Sequence, residues 1–150
     1  MIIIRPSKSE DINILADFQM RLADETENIH LDKMIVSAGL KALFDDPTKG
    51  TYYVAEAEGK IIGCFLITYE WSDWRNGMVW WLQSVYIVPL HRRKGVFKKM
   101  YNHILQTIQN DGSIIGLRLY VDKTNTRAQK VYQAMGMNGD HYTVFEWMRD

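Results

Sequence analysis

Apolar residues recur along this chain with two periods, and the switches between them outline its elements. Residues 2–5 form a short apolar run that predicts a strand. Ser9-Glu10-Asp11 predicts a helix start, with Ser9 as the cap and acids suited to the first turn. Ile12, Leu15, Phe18 and Leu22 then recur at helical spacing. A second helical pattern covers residues 31–44 and stops at Asp45-Asp46-Pro47. Residues 51–55 and 61–69 are rich in strand formers around a Glu58-Gly59 turn signal, which predicts a hairpin. Residues 71–77 read as a loop, and residues 78–88 as a long strand halted by Pro89. From Gly95 the helical period returns. Val96, Phe97, Met100, Tyr101, Ile104, Leu105 and Ile108 make a wide apolar stripe that ends at Asn110-Asp111-Gly112. Residues 114–121 predict a strand, 125–135 a helix and 141–148 a last strand. The predicted order is β-α-α-β-β-β-α-β-α-β, an α/β fold with one mixed sheet and flanking helices in a single domain of residues 1–150.

Composition narrows the function classes. The chain has 18 Lys+Arg against 18 Asp+Glu, a net charge of zero, which argues against a dedicated nucleic-acid or polybasic membrane binder. Its hydrophobic fraction is 47%, and no run approaches the roughly 20 apolar residues of a membrane span. The apolar start is cut at Arg5-Pro6, too early for a secretory signal. Cys64 is the one cysteine, so no intramolecular disulfide can form, which fits a reducing cytoplasm. With four histidines and one cysteine, no metal site is expected.

One segment departs from the even charge. Arg92, Arg93, Lys94, Lys98 and Lys99 fall in eight residues, around Gly95 and at the start of the third helical pattern. A strand, a glycine-containing basic loop and a helix N-terminus form an anion site, because the first N–H groups of a helix have no intrahelical partner. The competing reading is a solvated basic turn.

The run from Val88 to Phe97 resembles motif A, [QR]-x-x-G-x-[GA], of the GNAT superfamily of N-acetyltransferases. Arg92 and Gly95 take its first two fixed positions, and Phe97 stands where the motif has Gly or Ala. Phe97 also shares the core stripe with Tyr101, so its ring is expected to turn inward and leave its N–H free. Residues 125–137 resemble the family's motif B, N-x-x-A-x-x-x-Y-x-x-x-G-[FM], at every fixed position: Asn125, Ala128, Tyr132, Gly136 and Met137. At about 100° per residue, the first four fall within about 80° of one helix face. Without the resemblance, Tyr132 reads as a core tyrosine and Gly136 as a helix C-cap.

The resemblance implies a mostly antiparallel sheet with a splayed strand pair at an acetyl-CoA cleft. It implies that main-chain groups of Val85, Tyr86 and Ile87 hold the pantetheine, and that Arg92, Arg93, Lys94, Gly95, Val96, Phe97 and Lys98 hold the pyrophosphate. It places Asn125 near the pantetheine, Ala128 at a close approach and Tyr132 at the thioester sulfur, as the acid for the leaving thiolate. The implied activity is acetyl transfer from acetyl-CoA to a primary amine of a small molecule or peptide, with a non-catalytic acyl-CoA-binding domain as the alternative. On the acceptor side, Glu25, Glu70 and Asp73 are candidate acids, each also readable as a solvated carboxylate. Gln83 stands where some polyamine-acetylating relatives have a glutamate. The tryptophans at 71, 74, 80 and 81 read as core or homodimer packing, or as a wall against an amine.

Overall fold

The computed structural model describes all 150 residues. They group into two compact units, Met1–Arg118 and Leu119–Asp150.

The first unit is built on a five-stranded sheet in the order β1-β2-β3-β4-β5: β1 is Ile2–Pro6, β2 Thr51–Ala57, β3 Lys60–Ser72, β4 Gly77–Ile87 and β5 Ile114–Arg118. The first four strands pair antiparallel and β5 pairs parallel to β4. The parallel step needs a crossover, and α3 (Val96–Asn110) supplies it. Helices α1 (Ile12–Glu27) and α2 (Lys33–Asp45) link β1 to β2.

The central strands are buried on both faces, which explains their unbroken apolar runs. Tyr52, Val54, Cys64 and Tyr86 pack with Leu15, Ala16, Phe18 and Leu40 of α1 and α2. On the other face Tyr53 stacks on Phe65 and meets His103 of α3 edge-on. Met100 and Ile104 of α3 are fully buried there with Phe65 and Ile67. Three polar residues are buried, Asp11, Gln19 and Ser72; Asp11, 6% exposed, is the charged one, and it is satisfied by Arg5 (2.9 Å) and the Lys8 N–H (2.8 Å). Burial pushes its carboxyl up, but the bonds from Arg5 and Lys8 outweigh that and hold it below the usual range.

Several boundaries differ from the sequence reading. Residues 9–11 form a 3-10 turn that begins after Lys8, so Ser9 is not the cap, and α1 starts at Ile12. α2 starts after Asp32, whose carboxylate accepts the Met34 and Ile35 N–H groups. The expected loop at 71–77 shrinks to a turn, because β3 runs on to Ser72, and β5 stops at Arg118 rather than at residue 121.

The second unit holds α4 (Thr126–Ala134), and residues 141–148 form no strand. A strand exists only through a partner's ladder, and apolar residues in adjacent pairs, Val144-Phe145 and Trp147-Met148, do not keep a period of two.

Gly63 marks the tightest crossing between β3, β4 and α3. A Cβ there would lie 2.7 Å from the Tyr86 carbonyl oxygen and 2.8 Å from Met100 Cε. Gly63→Ala is expected to cost about 1–3 kcal/mol, because a backbone atom must move. Gly39→Ala in α2, where a Cβ meets nothing within 4 Å, is expected to gain about 0.5–1 kcal/mol. Urea unfolding of the two variants checks both signs.

Candidate active site

The site begins with an irregularity in β4. Its register against β3 runs Cys64↔Tyr86 but Leu66↔Gln83, so Phe65 alone faces both Ser84 and Val85. This is a β-bulge, and Ser84 sits at φ 53°. On its other side β4 pairs with β5 only from Met78↔Ile114 to Trp81↔Arg118. Residues 82–87 therefore keep β3 on one edge and have no β5 ladder on the other.

Which main-chain groups face that open edge follows from ladder alternation. Val88 N–H donates to Ile62 O (2.9 Å), so the next pair, Ile87 opposite Gly63, is turned away from β3. Tyr86 is turned toward β3. Of Val85, Tyr86 and Ile87, the alternation turns Ile87 to the open edge and Tyr86 to β3, and Val85 lies in the bulge opposite Phe65. The Ile87 carbonyl is taken by Arg92 Nε (2.7 Å), which leaves its N–H.

After β4 the chain turns through a 3-10 segment, Pro89–His91, into the basic loop. Arg93 (φ 63°) and Gly95 (φ 79°) are both left-handed, a conformation that costs a residue with a Cβ about 1–2 kcal/mol. α3 starts at Val96 with no side-chain cap, and its first intrahelical bond runs from Lys99 N–H to Gly95 O (3.1 Å). The N–H groups of the three residues before Lys99 thus precede the helix's own ladder and point out of its N-terminal end. Arg93, Lys94 and Lys98 are exposed around them. Phe97 is half-buried with its ring centroid 6.2 Å from that of Tyr101, so the ring lies along the core side of α3.

Arg92 is placed differently from its neighbours. Its Nη2 lies 2.6 Å from Glu25 Oε2, and its guanidinium sits 5.4 Å over the Tyr86 ring. Tyr86 OH donates to Glu25 Oε1 (3.3 Å), and burial, then the Glu25 charge, pushes the phenol pKa up. Glu25 is thus engaged through both oxygens. Glu70 accepts from Trp81 Nε1 (3.1 Å) and from Arg118 Nη1 (2.7 Å). Gln83 Nε2 donates to Thr68 Oγ1 (2.6 Å). Asp73 is exposed in the turn between β3 and β4. The candidate acceptor acids do not converge: Glu25 lies at the end of α1, and Glu70 in an ion pair on the sheet.

In the second unit Asn125 caps α4, its Oδ1 accepting the Ala128 N–H (3.1 Å). Gly136 (φ 91°) ends that helix, with Met137 N–H returning to Tyr132 O (3.0 Å). Ala128 and Tyr132 are half-buried, and burial pushes the Tyr132 phenol above its usual pKa. No cluster of three or more His, Cys, Asp or Glu side chains is placed to hold a metal ion.

Comparison with known proteins decides the family. The model of the acetyltransferase (GNAT) family matches residues 15–137. The chain belongs to the GNAT acetyltransferase family. A possible acetyltransferase from Clostridium difficile 630 is 39% identical, with a TM-score of 0.94 over 100% of this chain and 99% of that one. A predicted acetyltransferase from Clostridium acetobutylicum, solved with acetyl-CoA, is 18% identical with a TM-score of 0.76, over 97% of this chain and 96% of that one. The ribosomal-protein-alanine N-acetyltransferase from Brucella melitensis biovar Abortus 2308 is 15% identical with a TM-score of 0.80, over 99% and 100%. No curated protein matches the chain. This GNAT enzyme is an acetyltransferase with acetyl-CoA as donor, and neither comparison supports the non-catalytic alternative.

Two features escaped the sequence reading. The Ser84 bulge has as its trace only the polar pair Gln83-Ser84 inside an apolar strand. The Glu25–Arg92 pair joins residues 67 apart and has no local signal.

The left-handed turn at Gly95 sets the direction in which α3 begins. An ideal Cβ at Gly95 meets nothing within 4 Å, so the strain of Gly95→Val is in the backbone alone. Gly95→Val is expected to weaken acetyl-CoA binding about tenfold, and Lys99→Ala about twofold, by titration calorimetry.

Proposed function

We propose that this enzyme transfers the acetyl group of acetyl-CoA to a primary amine of a small molecule or peptide, by direct attack in a ternary complex. The observation that carries the proposal is the open edge of β4 running into the left-handed basic loop. An extended pantetheine can bond there as a strand would, and its pyrophosphate can meet the Val96, Phe97 and Lys98 N–H groups and the charges of Arg93, Lys94 and Lys98.

Direct attack is supported by the chemistry of the one cysteine. Cys64 is fully buried and burial pushes its thiol pKa up to about 12. Such a thiol stays protonated near neutral pH and is a poor nucleophile for an acyl-enzyme. The amine then attacks the thioester carbon itself. The N–C bond forms, negative charge grows on the carbonyl oxygen, and the C–S bond breaks as the tetrahedral intermediate collapses. Ile87 N–H is a main-chain donor on the open edge.

We assign Tyr132 to the leaving thiolate and Asn125 to the capping of its helix. A phenol with a raised pKa holds its proton at neutral pH, so Tyr132 donates a hydrogen bond to the sulfur rather than a free proton. Glu70 is engaged by Arg118 and Trp81, and Glu25 by Arg92 and Tyr86, and we assign the amine proton to water. Asp73 and Gln83 are assigned to the acceptor side without a proton-transfer role. A donor made by cytoplasmic metabolism and an unpaired, buried cysteine support a cytoplasmic setting.

Release of free CoA thiol from acetyl-CoA against a panel of polyamines, amino sugars and N-terminal peptides tests the reading. With an accepted amine, Tyr132→Phe is expected to lower kcat about 10²-fold while sparing acetyl-CoA affinity. A nearly unchanged kcat would remove Tyr132 from the mechanism.

A further inference from the structure

Arg92 carries its charge to partners outside the basic loop. Its Nε is bonded to Ile87 O (2.7 Å), its Nη2 to Glu25 Oε2 (2.6 Å), and its Cζ lies over the Tyr86 ring. Arg92 is also the last extended residue (φ −67°, ψ 151°) before the left-handed Arg93. Its N–H donates to Pro89 O (3.2 Å), so backbone and side chain are both fixed where the loop begins. Glu25, in the last turn of α1, closes the arrangement through Tyr86 OH.

We infer that Glu25 is a positioning residue for donor binding: acting through Arg92, it braces the loop from the end of α1 so that the Arg93–Gly95 turn and the first N–H groups of α3 are set before the pyrophosphate arrives. The inference rests on that loop being the pyrophosphate site. It separates from simple electrostatics by sign. An acid beside an anion site opposes the anion, so removing the charge should tighten binding. A brace does the opposite, because loosening it adds an ordering cost to binding.

Calorimetric titration with coenzyme A provides the test. Glu25→Gln is expected to weaken binding roughly three- to fivefold, the scale of a partly exposed ion pair. It should raise KM for acetyl-CoA and leave kcat in place. Arg92→Lys keeps the charge but loses the fork that bonds Ile87 O and Glu25 from two separate nitrogens, so it should weaken binding by a similar factor. The Glu25→Gln/Arg92→Lys double variant should be no weaker than Arg92→Lys alone. Unchanged urea midpoints keep the comparison on folded protein. Tighter or unchanged binding by Glu25→Gln would overturn the brace. Wild-type protein that does not bind coenzyme A would instead overturn the loop as the donor site, and the brace with it.

Discussion

The site depends on the ladder that β4 does not make. β4 is bonded to β3 along its length, yet it is joined to β5 only as far as Trp81 and Arg118. An unpaired strand edge is ordinarily a liability, since its N–H and C=O groups want partners. Here the unpaired stretch leads straight into a basic helix N-terminus. The same geometry sets a limit: alternation gives the open edge every second residue, so Ile87 is available and Tyr86 is not. The bulge at Ser84 lies within this stretch and resets the register there.

Charge follows the same division of labour. Arg93, Lys94 and Lys98 flank the start of α3, while Arg92 is spent on structure, between Ile87 O and Glu25. Glu70 is likewise held by Arg118 and Trp81. Two of the three candidate acids, Glu25 and Glu70, are therefore engaged with protein partners.

Much of this architecture is legible in the sequence because it is local. The strand-to-helix switch at Gly95 shows as a change of apolar period, and the Asn125 cap and Gly136 stop show as residue types with conformational reasons. Phe97 at the small-residue position is explained by its spacing from Tyr101. What the sequence hides is set by pairing across distance. The end of the β4–β5 ladder, the bulge opposite Phe65 and the partners of Arg92 each depend on a strand or helix far along the chain. The segment 141–148 has the composition of a strand and still forms none, because composition does not provide a ladder.

The central claim, that the open edge of β4 and the start of α3 bind the donor through main-chain N–H groups, is tested most directly by residue-resolved hydrogen exchange with and without saturating acetyl-CoA. The account predicts that the Ile87, Val96, Phe97 and Lys98 amides slow about tenfold or more on binding. Tyr86 and Val88, already turned to the β3 ladder, should change least. Binding that leaves those four amides unchanged and protects others would contradict it.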